Sequence, residues 1–383
     1  MTARGDTLVV AARSARLLAE AATREGFRVV ALDVFGDLDT RRAAHEWQSI
    51  ASDAAHGVPA IDGAKLVAAL AAHRNALGWI AGSDLDGRPD VLQAGAGALR
   101  LIGSTPADVR RVRDPRGFFG LLEQLGLAHP ETAFEPPSHH GGWLRKHADG
   151  CGGWHIRRAA AADASPAATA YFQREAPGTP MSALFVAALV GPGALRHRLV
   201  GINRLIVRAF GAHPYVYRGA IGPVGLPAAA MRALREAIDA LVEAFALRGL
   251  ASLDFLWHDG RASLLEINPR PSASMALYAA EPLMRWHLQA CGLAAHEAPD
   301  VAAVPDAGVA GIETVFARRA FTLTGEQAGA LATRADACDL PAAGSRFEAG
   351  DPVCSLAARD ANAAAVQRTL TARRQALRAW LAA

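Results

Sequence analysis

The sequence predicts an α/β and α+β protein of several domains, with a doubly wound α/β domain at the N-terminus. Three observations lead to this class. A length of 383 residues exceeds what one simple core holds. Residues 7–33 have the pattern strand, helix, strand that opens a parallel sheet. Residues 250–268 have the pattern of an antiparallel hairpin, with Asp259 and Gly260 at its turn.

Composition sets the broad class. The chain is 51% hydrophobic and 20% charged, which is typical of a globular enzyme, and no apolar run reaches the ~20 residues of a membrane span. The N-terminus becomes charged and amphipathic, so it does not resemble a secretion signal, and we expect a cytoplasmic protein. A formal net charge of +3 does not indicate a nucleic-acid partner. The four cysteines form no CxxC pair, which argues against disulfides and a zinc ribbon.

The first 110 residues predict a small doubly wound domain, whose ligands would bind at the carboxyl ends of its strands. Asp33 is well placed for a dinucleotide ribose, but the first βα turn has no glycine, so a nicotinamide site is disfavoured. The predicted strands are 7–12, 27–33, 78–84 and 99–104, and the predicted helices are 14–26 and 63–74.

The remaining chain predicts a mixture of antiparallel strands and helices. A helix at 114–126 precedes paired strands around a glycine loop (143–159) and around a turn (170–189). Two further strands are predicted at 197–207 and 214–224, followed by a long amphipathic helix at 226–249 and the hairpin. The order ends with a helix that stops at Gly292, a linker at 296–308, short strands and a terminal helix at 361–382.

The hairpin carries the strongest chemical pattern. Glu266 and Asn268 are two residues apart, so both side chains leave the same face of their strand. The hairpin turn brings Asp254 beside that face. Two carboxylates and an amide oxygen suit Mg²⁺, or Mn²⁺ in its place, which binds substrate phosphate together with one or two carboxylates. The alternative is a polar solvent face, which fits poorly because the neighbouring residues are leucine and isoleucine.

Arg270 follows this strand between Pro269 and Pro271. The two prolines fix the backbone and remove its N–H donors, so the guanidinium is held with little entropy left to lose. A planar guanidinium is suited to a transferring phosphoryl group. Ser272 and Ser274 either add contacts or cap the following helix, and the cap is the favoured interpretation.

A glycine loop follows Lys146 in the segment LRKHADGCGGWHI. Gly150, Gly152 and Gly153 allow backbone N–H groups to fold over phosphates, with Lys146 as a point charge. The loop is not a Walker A motif, and a plain hairpin with an exposed lysine is the alternative. A zinc site is disfavoured, because the spacing of the nearby histidines and cysteine matches no standard pattern: His139, His140, His147, Cys151 and His155.

A third polar cluster ends a predicted strand before a Pro-Gly turn. It comprises Gln173, Arg174, Glu175 and the adjacent Ala176. A hinge of this kind can hydrogen-bond an adenine edge and a ribose, although the pattern is weak by itself.

Taken in this order, the three motifs resemble the ATP-grasp superfamily over roughly residues 1–300. The resemblance implies an N-terminal pre-ATP-grasp domain (1–110), a lid subdomain (111–195), a core subdomain with the metal hairpin (196–304) and a small C-terminal β-rich extension (305–383). In that family ATP binds between two α+β subdomains. The enzyme makes an acyl phosphate, which a nucleophile, usually an amine, then attacks.

The resemblance assigns roles to matching positions. Lys146 would bind the α- and β-phosphates, and the loop from Gly150 to Gly153 would cover the triphosphate. Residues 173–176 would face adenine. The hairpin oxygens would hold Mg²⁺, and Arg270 would contact the γ-phosphate or the acyl phosphate.

Two positions depart from the family pattern. Arg174 stands where many members have glutamate, for which Glu175 is the candidate substitute. An early lysine of the lid is replaced within DPRG, with Arg116 as its candidate replacement.

Three further segments, AARSARLLAEAATREGFRVVALDVFGDLDT, AGSDLDGRPDVL and RRVRDPRGF, resemble a subgroup of predicted ATP-grasp carboligases. That subgroup is associated with synthesis of tetrahydromethanopterin- or methanofuran-type one-carbon carriers and is related to tyramine–glutamate ligase. The resemblance implies that an amino acid, such as glutamate, is joined to a carrier or cofactor precursor.

We therefore expect an ATP- and Mg²⁺-dependent carboxylate–amine ligase whose partners are small molecules, with neither nucleic acid nor membrane and with a homodimer left open. A carboxylase that uses carboxyphosphate and a non-catalytic ATP-binding protein are the alternatives. The acceptor pocket should lie between the N-terminal domain and the hairpin; its candidate residues are Arg13, Ser14, Gly82, Ser83 and Arg218, the last of which is equally compatible with a structural salt bridge.

Overall fold

The computed structural model describes residues 7–53, 59–160, 163, 169–188, 197–293 and 308–382. The N-terminal part is a four-stranded parallel sheet in the order β3-β2-β1-β4. Its strands are β1 (Thr7–Ala11), β2 (Arg28–Asp33), β3 (Glu46–Ser49) and β4 (Gly78–Ala81). Its helices are α1 (Arg16–Arg24), α2 (Leu38–Ala43), α3 (Gly63–Ala72), α4 (Pro89–Ala98) and α5 (Pro106–Arg113).

The doubly wound N-terminal domain is thus confirmed, with local differences. The apolar strand β1 is buried on both faces, as expected for the middle of a parallel sheet covered by helices. The predicted strand at 99–104 is reduced to a single bridge between Trp79 and Leu101. The predicted loop after β2 contains α2 and the edge strand β3, whose short, charged sequences show no apolar period.

A small antiparallel sheet follows in the order β5-β8-β6-β7. Helix α6 (Pro115–Gln124) precedes it; Asp114 caps this helix by accepting from two backbone N–H groups, and Pro115 occupies its first turn. The four strands are β5 (Thr132–Ala133), β6 (Trp143–His147), β7 (Arg157–Arg158) and β8 (Ala170–Arg174).

The largest sheet has eight antiparallel strands in the order β13-β12-β9-β10-β11-β14-β18-β16. These strands are β9 (Thr179–Ala187), β10 (His197–Phe210), β11 (His213–Gly222), β12 (Gly249–His258), β13 (Arg261–Asn268), β14 (Val309–Phe316), β16 (Ala337–Cys338) and β18 (Pro352–Asp360). The other elements are α7 (Ala228–Phe245), a 3-10 helix (Ala273–Tyr278), α8 (Leu283–Ala290), β15 (Phe321–Thr322), α9 (Gly325–Ala332), β17 (Arg346–Phe347) and α10 (Ala363–Ala382).

This sheet crosses two of the boundaries that we expected. Strand β9, which we expected in the lid, pairs with β10 and β12 of the core. Strands β14, β16 and β18 of the C-terminal extension continue the same sheet. The predicted linker at 296–308 lies outside the described residues apart from Gly308.

Helices cover the central sheet and leave one face for the site. The apolar residues of α7 recur every three or four positions, and this stripe shares one hydrophobic cluster with residues of β9, β10, β12 and β13. Helix α10 packs Val366, Leu370 and Leu377 against β14 and β18. In the part of the chain that the structure describes, no helix has the length and apolar character that crossing a membrane requires.

Candidate active site

One cavity of about 860 Å³ lies where the N-terminal domain, the small sheet and the central sheet meet. Its wall brings together most of the residues singled out from the sequence: Ser14, Gly82, Ser83, Lys146, Gly152, Gly153, Gln173, Arg174, Glu175, Ala176, Asp254, Glu266, Asn268 and Arg270. Gly150, Arg13 and Arg218 do not line this cavity.

The metal hairpin has the register that its sequence predicts. Asp254 lies directly opposite Glu266 across β12 and β13. Asp259 and Gly260 both have positive φ at the turn, as a two-residue hairpin turn of the I′ type requires. Asn268 lies two residues further along β13, on the same face as Glu266, and its amide Nδ2 donates to Asp254 Oδ2 at 3.2 Å.

Burial and the facing carboxylate of Glu266 together raise the pKa of Asp254 to about 7. Arg113 partly balances this pair, with its Nη1 3.3 Å from Glu266 Oε2. Two adjacent, partly buried carboxylates repel each other, and a divalent cation between them would remove that repulsion. The hairpin charges therefore fit a cation.

The ligand set is small. Among the described residues no group of three or more His, Cys, Asp or Glu side chains forms a metal site. The side-chain oxygen of Asn268 also accepts a hydrogen bond from Arg270 Nη2 at 3.1 Å, although we expected this oxygen to face the metal. Two carboxylates alone suit an ion that completes its shell with water and phosphate oxygens, as Mg²⁺ does.

Lys146 is buried in β6, and its ammonium group donates to Gln173 Oε1 at 2.7 Å. Burial lowers the pKa of Lys146, and the carboxylates of Glu266 and Asp254 only partly oppose this shift. The alternative of an exposed lysine is wrong. A buried ammonium held by a neutral amide keeps its positive charge available to an anion in the cavity.

The glycine loop lies against β11, and glycine is required there. Gly152 and Gly153 have φ of +62° and +78°. A Cβ on Gly153 would overlap the backbone carbonyl of Tyr215, and the Gly152 carbonyl accepts from Tyr217 N at 2.9 Å. Because backbone lies against backbone at this position, a side chain on residue 153 would force the loop away from β11.

Arg113 connects this loop to the hairpin. Its Nη2 donates to the carbonyl oxygens of Ala148 and Gly150, at 2.6 and 2.9 Å, while its Nη1 faces Glu266. One guanidinium thus joins the base of the loop to a candidate metal ligand. We did not predict this residue; it lies three positions before Arg116 in RRVRDPRGF.

Arg116 does not take the place that we expected. It is exposed, lies 3.6 Å from Glu135 and stacks on Phe134 outside the cavity. Arg116 lies in the first turn of α6, and its side chain points to solvent.

The hinge residues have different surroundings. Glu175 accepts hydrogen bonds from Tyr215 and Arg158, which lower its pKa. Arg174 is exposed, and its Nη1 donates to the Gly141 carbonyl at 2.9 Å. Only Gln173 is buried, so it is the one side chain of this cluster held inside the cavity wall.

The guanidinium of Arg270 is held by hydrogen bonds, in addition to the backbone restraint from its two flanking prolines. Its Nε donates to Asp86 Oδ1 at 2.9 Å, and Nη1 lies 3.3 Å from the Pro271 carbonyl. Burial alone would raise the pKa of Asp86, but Arg270 and Arg113 outweigh it and hold this pKa below its usual value. Asp86 comes from the loop after β4, so the N-terminal domain positions this arginine. No pattern in the sequence indicated Asp86.

Three other predictions differ from the structure. Ser272 makes no side-chain cap; its hydroxyl bonds that of Ser274 at 2.9 Å, and both residues line the cavity. Arg13 pairs with Asp84 at 2.6 Å instead of lining the pocket. Arg218 lies on the other face of β11 from Tyr217, stacked on the ring of Phe316.

Residues 114–274 match the family model of the ATP-grasp domain. Over most of its length the chain also superposes on solved structures. One is an L-amino acid ligase from Bacillus licheniformis, with TM-score 0.67, 14% identity and 97% of each chain covered.

Another is N5-carboxyaminoimidazole ribonucleotide synthetase from Thermotoga maritima, with TM-score 0.62, 11% identity, and 97% and 98% covered. A third is the biotin carboxylase domain of a single-chain bacterial carboxylase, with TM-score 0.62, 19% identity, and 94% of this chain and 87% of that chain covered. The chain has the ATP-grasp fold. The predicted fold is confirmed, and the ATP-grasp domain with its neighbours supports the prediction of an enzyme. No curated protein sequence matches the chain.

In the ATP-grasp frame, the hairpin, Lys146 and the glycine loop all belong to the matched segment. Other walls of the cavity come from outside it. Arg41 is contributed by the N-terminal domain, and Asp339 and Arg346 by the C-terminal extension.

Proposed function

We propose that this chain is an ADP-forming carboxylate–amine ligase. In this reaction the γ-phosphoryl group of ATP is transferred to a substrate carboxylate, ADP leaves, and an amine displaces phosphate from the acyl phosphate. The observation that carries the proposal is a single cavity that combines a buried ammonium (Lys146), a paired carboxylate site (Asp254 and Glu266) and an immobilised guanidinium (Arg270).

The charges of the cavity support a bound triphosphate. Lys146 has no carboxylate bonded to it in the described structure, so it can face a phosphate oxygen. A cavity of about 860 Å³ is near the upper end of the range for small-molecule sites, which leaves room for a second substrate. Transfer of a phosphoryl group needs positioning and charge stabilisation more than a protein nucleophile.

Asp254 and Glu266 would hold the divalent metal, and we propose Mg²⁺. When bound, the ion would neutralise phosphate charge. The residues around the phosphates would then have distinct tasks. Lys146 would orient the phosphates, and Gly152 and Gly153 would let the backbone approach them closely. Arg270 would present a guanidinium whose direction Asp86 fixes.

The first test is nucleotide binding with Glu266→Gln. Binding of MgATP, measured by calorimetry with and without chelator, should be metal-dependent in the wild type. The substitution removes one of two carboxylates, and we expect it to weaken MgATP binding roughly tenfold or more while metal-free binding changes little. Glu135→Gln, an exposed acid outside the cavity, is the control. Equal metal dependence in Glu266→Gln and wild type would show that the metal assignment is wrong.

A carboxylase that forms carboxyphosphate is the second candidate. Two of the similar structures, N5-carboxyaminoimidazole ribonucleotide synthetase and a biotin carboxylase domain, carry names that refer to carboxylation. ADP release stimulated by bicarbonate without any amine would favour this candidate. ADP and phosphate release that requires both a carboxylate and an amine would favour the ligase.

For the substrates, we propose an amino acid such as glutamate and a small carrier or cofactor precursor. The support is the resemblance of three N-terminal segments to carboligases of one-carbon carrier synthesis. A panel of amino acids, each tested with pterin- and furan-type precursors for stimulated ADP release, is the direct test. Stimulation by other pairs alone would contradict this substrate assignment and leave the ligase class intact.

A further inference from the structure

Five arginines gather on the face of the central sheet opposite the cavity, between the sheet and α10. Val207, Tyr217 and Thr314 line the cavity. Side chains alternate between the two faces of a strand, so the adjacent residues Arg208, Arg218 and Glu313 point to the opposite face. We call this group the arginine cluster: Arg208, Arg218, Arg318, Arg374 and Arg378.

Arg218 is the buried centre of the cluster. Its exposed fraction is 4%, and its Nε and Nη1 have no hydrogen-bond partner in the described structure. It lies at a β-bulge, where β10 pairs with Tyr217 and Gly219 and skips the residue between them. A bulge redirects the side chain of its extra residue. The guanidinium stacks on Phe316, 4.7 Å from the ring centroid.

In the part of the chain that the structure describes, one carboxylate, that of Glu313, contacts these guanidinium groups. Glu313 is fully buried on β14; its Oε1 bonds Arg374 and lies 3.5 Å from Arg208 Nε. Its Oε2 has no partner in the described structure. Glu313 acts on Arg208, Arg218, Arg374 and Arg378, so among the described residues five guanidinium groups share this one carboxylate and an excess of positive charge remains.

The excess charge acts on Arg378, one helical turn after Arg374 on α10. Burial and the nearby charges of Arg318, Arg374 and Arg218 lower the pKa of Arg378 to about 10. Its Nε also has no partner in the described structure. Unpaired buried donors and mutual repulsion both cost free energy of folding.

We propose that the arginine cluster binds a phosphate-bearing anion of at least two negative charges. Planar guanidinium groups recognise phosphate oxygens in pairs, and an anion would use the free donors of Arg218 and Arg378 together. Arg208 and Arg318 are exposed at the rim, so the anion has access from solvent. The site is separate from the ATP cavity and does not depend on the proposed ligase activity.

Inorganic pyrophosphate is a suitable probe. Calorimetric titration in chelator, at low salt, should show binding by wild type that Arg378→Gln and Arg318→Gln each weaken roughly tenfold. Arg232→Gln removes one exposed arginine from α7 and should bind as wild type does. Lys146→Ala separates the ATP cavity from the cluster and should retain this binding. The proposal is overturned if the cluster variants bind like wild type, if Arg232→Gln weakens binding equally, or if Lys146→Ala abolishes it.

Thermal unfolding is a second test, in which the same substitution should increase stability while it weakens anion binding. Without added anion, Arg378→Gln should raise the melting temperature, because repulsion within the cluster falls. With pyrophosphate, the melting temperature of the wild type should rise more than that of Arg378→Gln. A structural role for Arg378 predicts the reverse: a lower melting temperature for the variant and an equal rise on adding pyrophosphate. That result would also overturn the proposal.

Discussion

At the residue scale, the two hairpin carboxylates reduce the free energy of unfolding, because they lie side by side and repel each other. Asp254 faces Glu266 across the hairpin, and its partial burial together with that like charge raises its pKa to about 7. An ordinary aspartate in the unfolded chain titrates near 4. The folded state therefore retains a proton between about pH 4 and 7 that the unfolded state has released, and stability falls as pH rises through this window.

Asp254→Asn should consequently be more stable than wild type at pH 8, by about 1 kcal/mol or more, with the difference disappearing near pH 4. The same variant should lose metal-dependent ATP binding. Urea unfolding at several pH values measures the first effect. Asp90→Asn, at an exposed helix position, is the control and should show no such trend. A variant less stable than wild type at pH 8 would contradict the charge explanation.

The sequence indicated some of these residues because their chemistry is local. Glu266 and Asn268 share a strand face by spacing alone, and Lys146 is one of only two lysines in the chain. Arg113 and Asp86 act through contacts with residues 153 and 184 positions away. No local pattern distinguishes Arg113 from the many other arginines, or Asp86 from the other acids of its loop. Both residues could be identified only from the folded structure.

At the element scale, the glycine loop depends on backbone contact. Gly153 has a φ of +78° and lies against the Tyr215 carbonyl of β11. A strand–loop–strand was predictable here from the glycines; the docking of the loop on β11 was not, because β11 is some 60 residues later in the chain and no local rule pairs the two. The pairing of β9 with β10 and β12 also joins distant segments, and for this reason the local sequence pattern places β9 in the lid instead of the core sheet.

Gly153→Ala should destabilise the protein by about 1–3 kcal/mol, because alanine disfavours this φ and its Cβ would force the loop away from β11. We also expect weaker ATP binding, since the displaced loop lines the cavity. Gly141→Ala is the matched control, because a Cβ there meets no atom within 4 Å. Urea unfolding and ATP titration of both variants test this prediction. Equal stability of the two variants would show that the loop does not need this contact.

At the scale of the whole molecule, His287 joins the N-terminal domain to the core. Its Nδ1 accepts from Leu250 N at 2.8 Å, and its Nε2 lies 3.0 Å from the Ile102 carbonyl, which makes Nε2 the protonated nitrogen. Burial lowers the pKa of this histidine to about 4. The unfolded chain binds a proton near pH 6.5, so stability is complete above that pH and is lost as pH falls toward 4.

His287→Gln should therefore be less stable than wild type at pH 7 but lose less stability between pH 7 and 4. The wild-type loss assigned to this histidine is up to about 3 kcal/mol. Unfolding by urea across this pH range measures it, with the exposed His258→Gln as control. Parallel pH profiles for wild type and His287→Gln would exclude this histidine as the cause.

The two ends of the chain are also bonded to each other. Arg16 Nε donates to Asp339 Oδ1 at 2.7 Å across 323 positions of sequence, and Asp39 accepts from the backbone of Asp339 and Leu340. During synthesis the N-terminal domain emerges long before these partners exist. Until then, the guanidinium of Arg16 lacks Asp339 and the Asp39 carboxylate lacks its two N–H donors. The N-terminal domain thus acquires its full set of contacts only after residues 339 and 340 have been synthesised, about 230 residues beyond its own last helix.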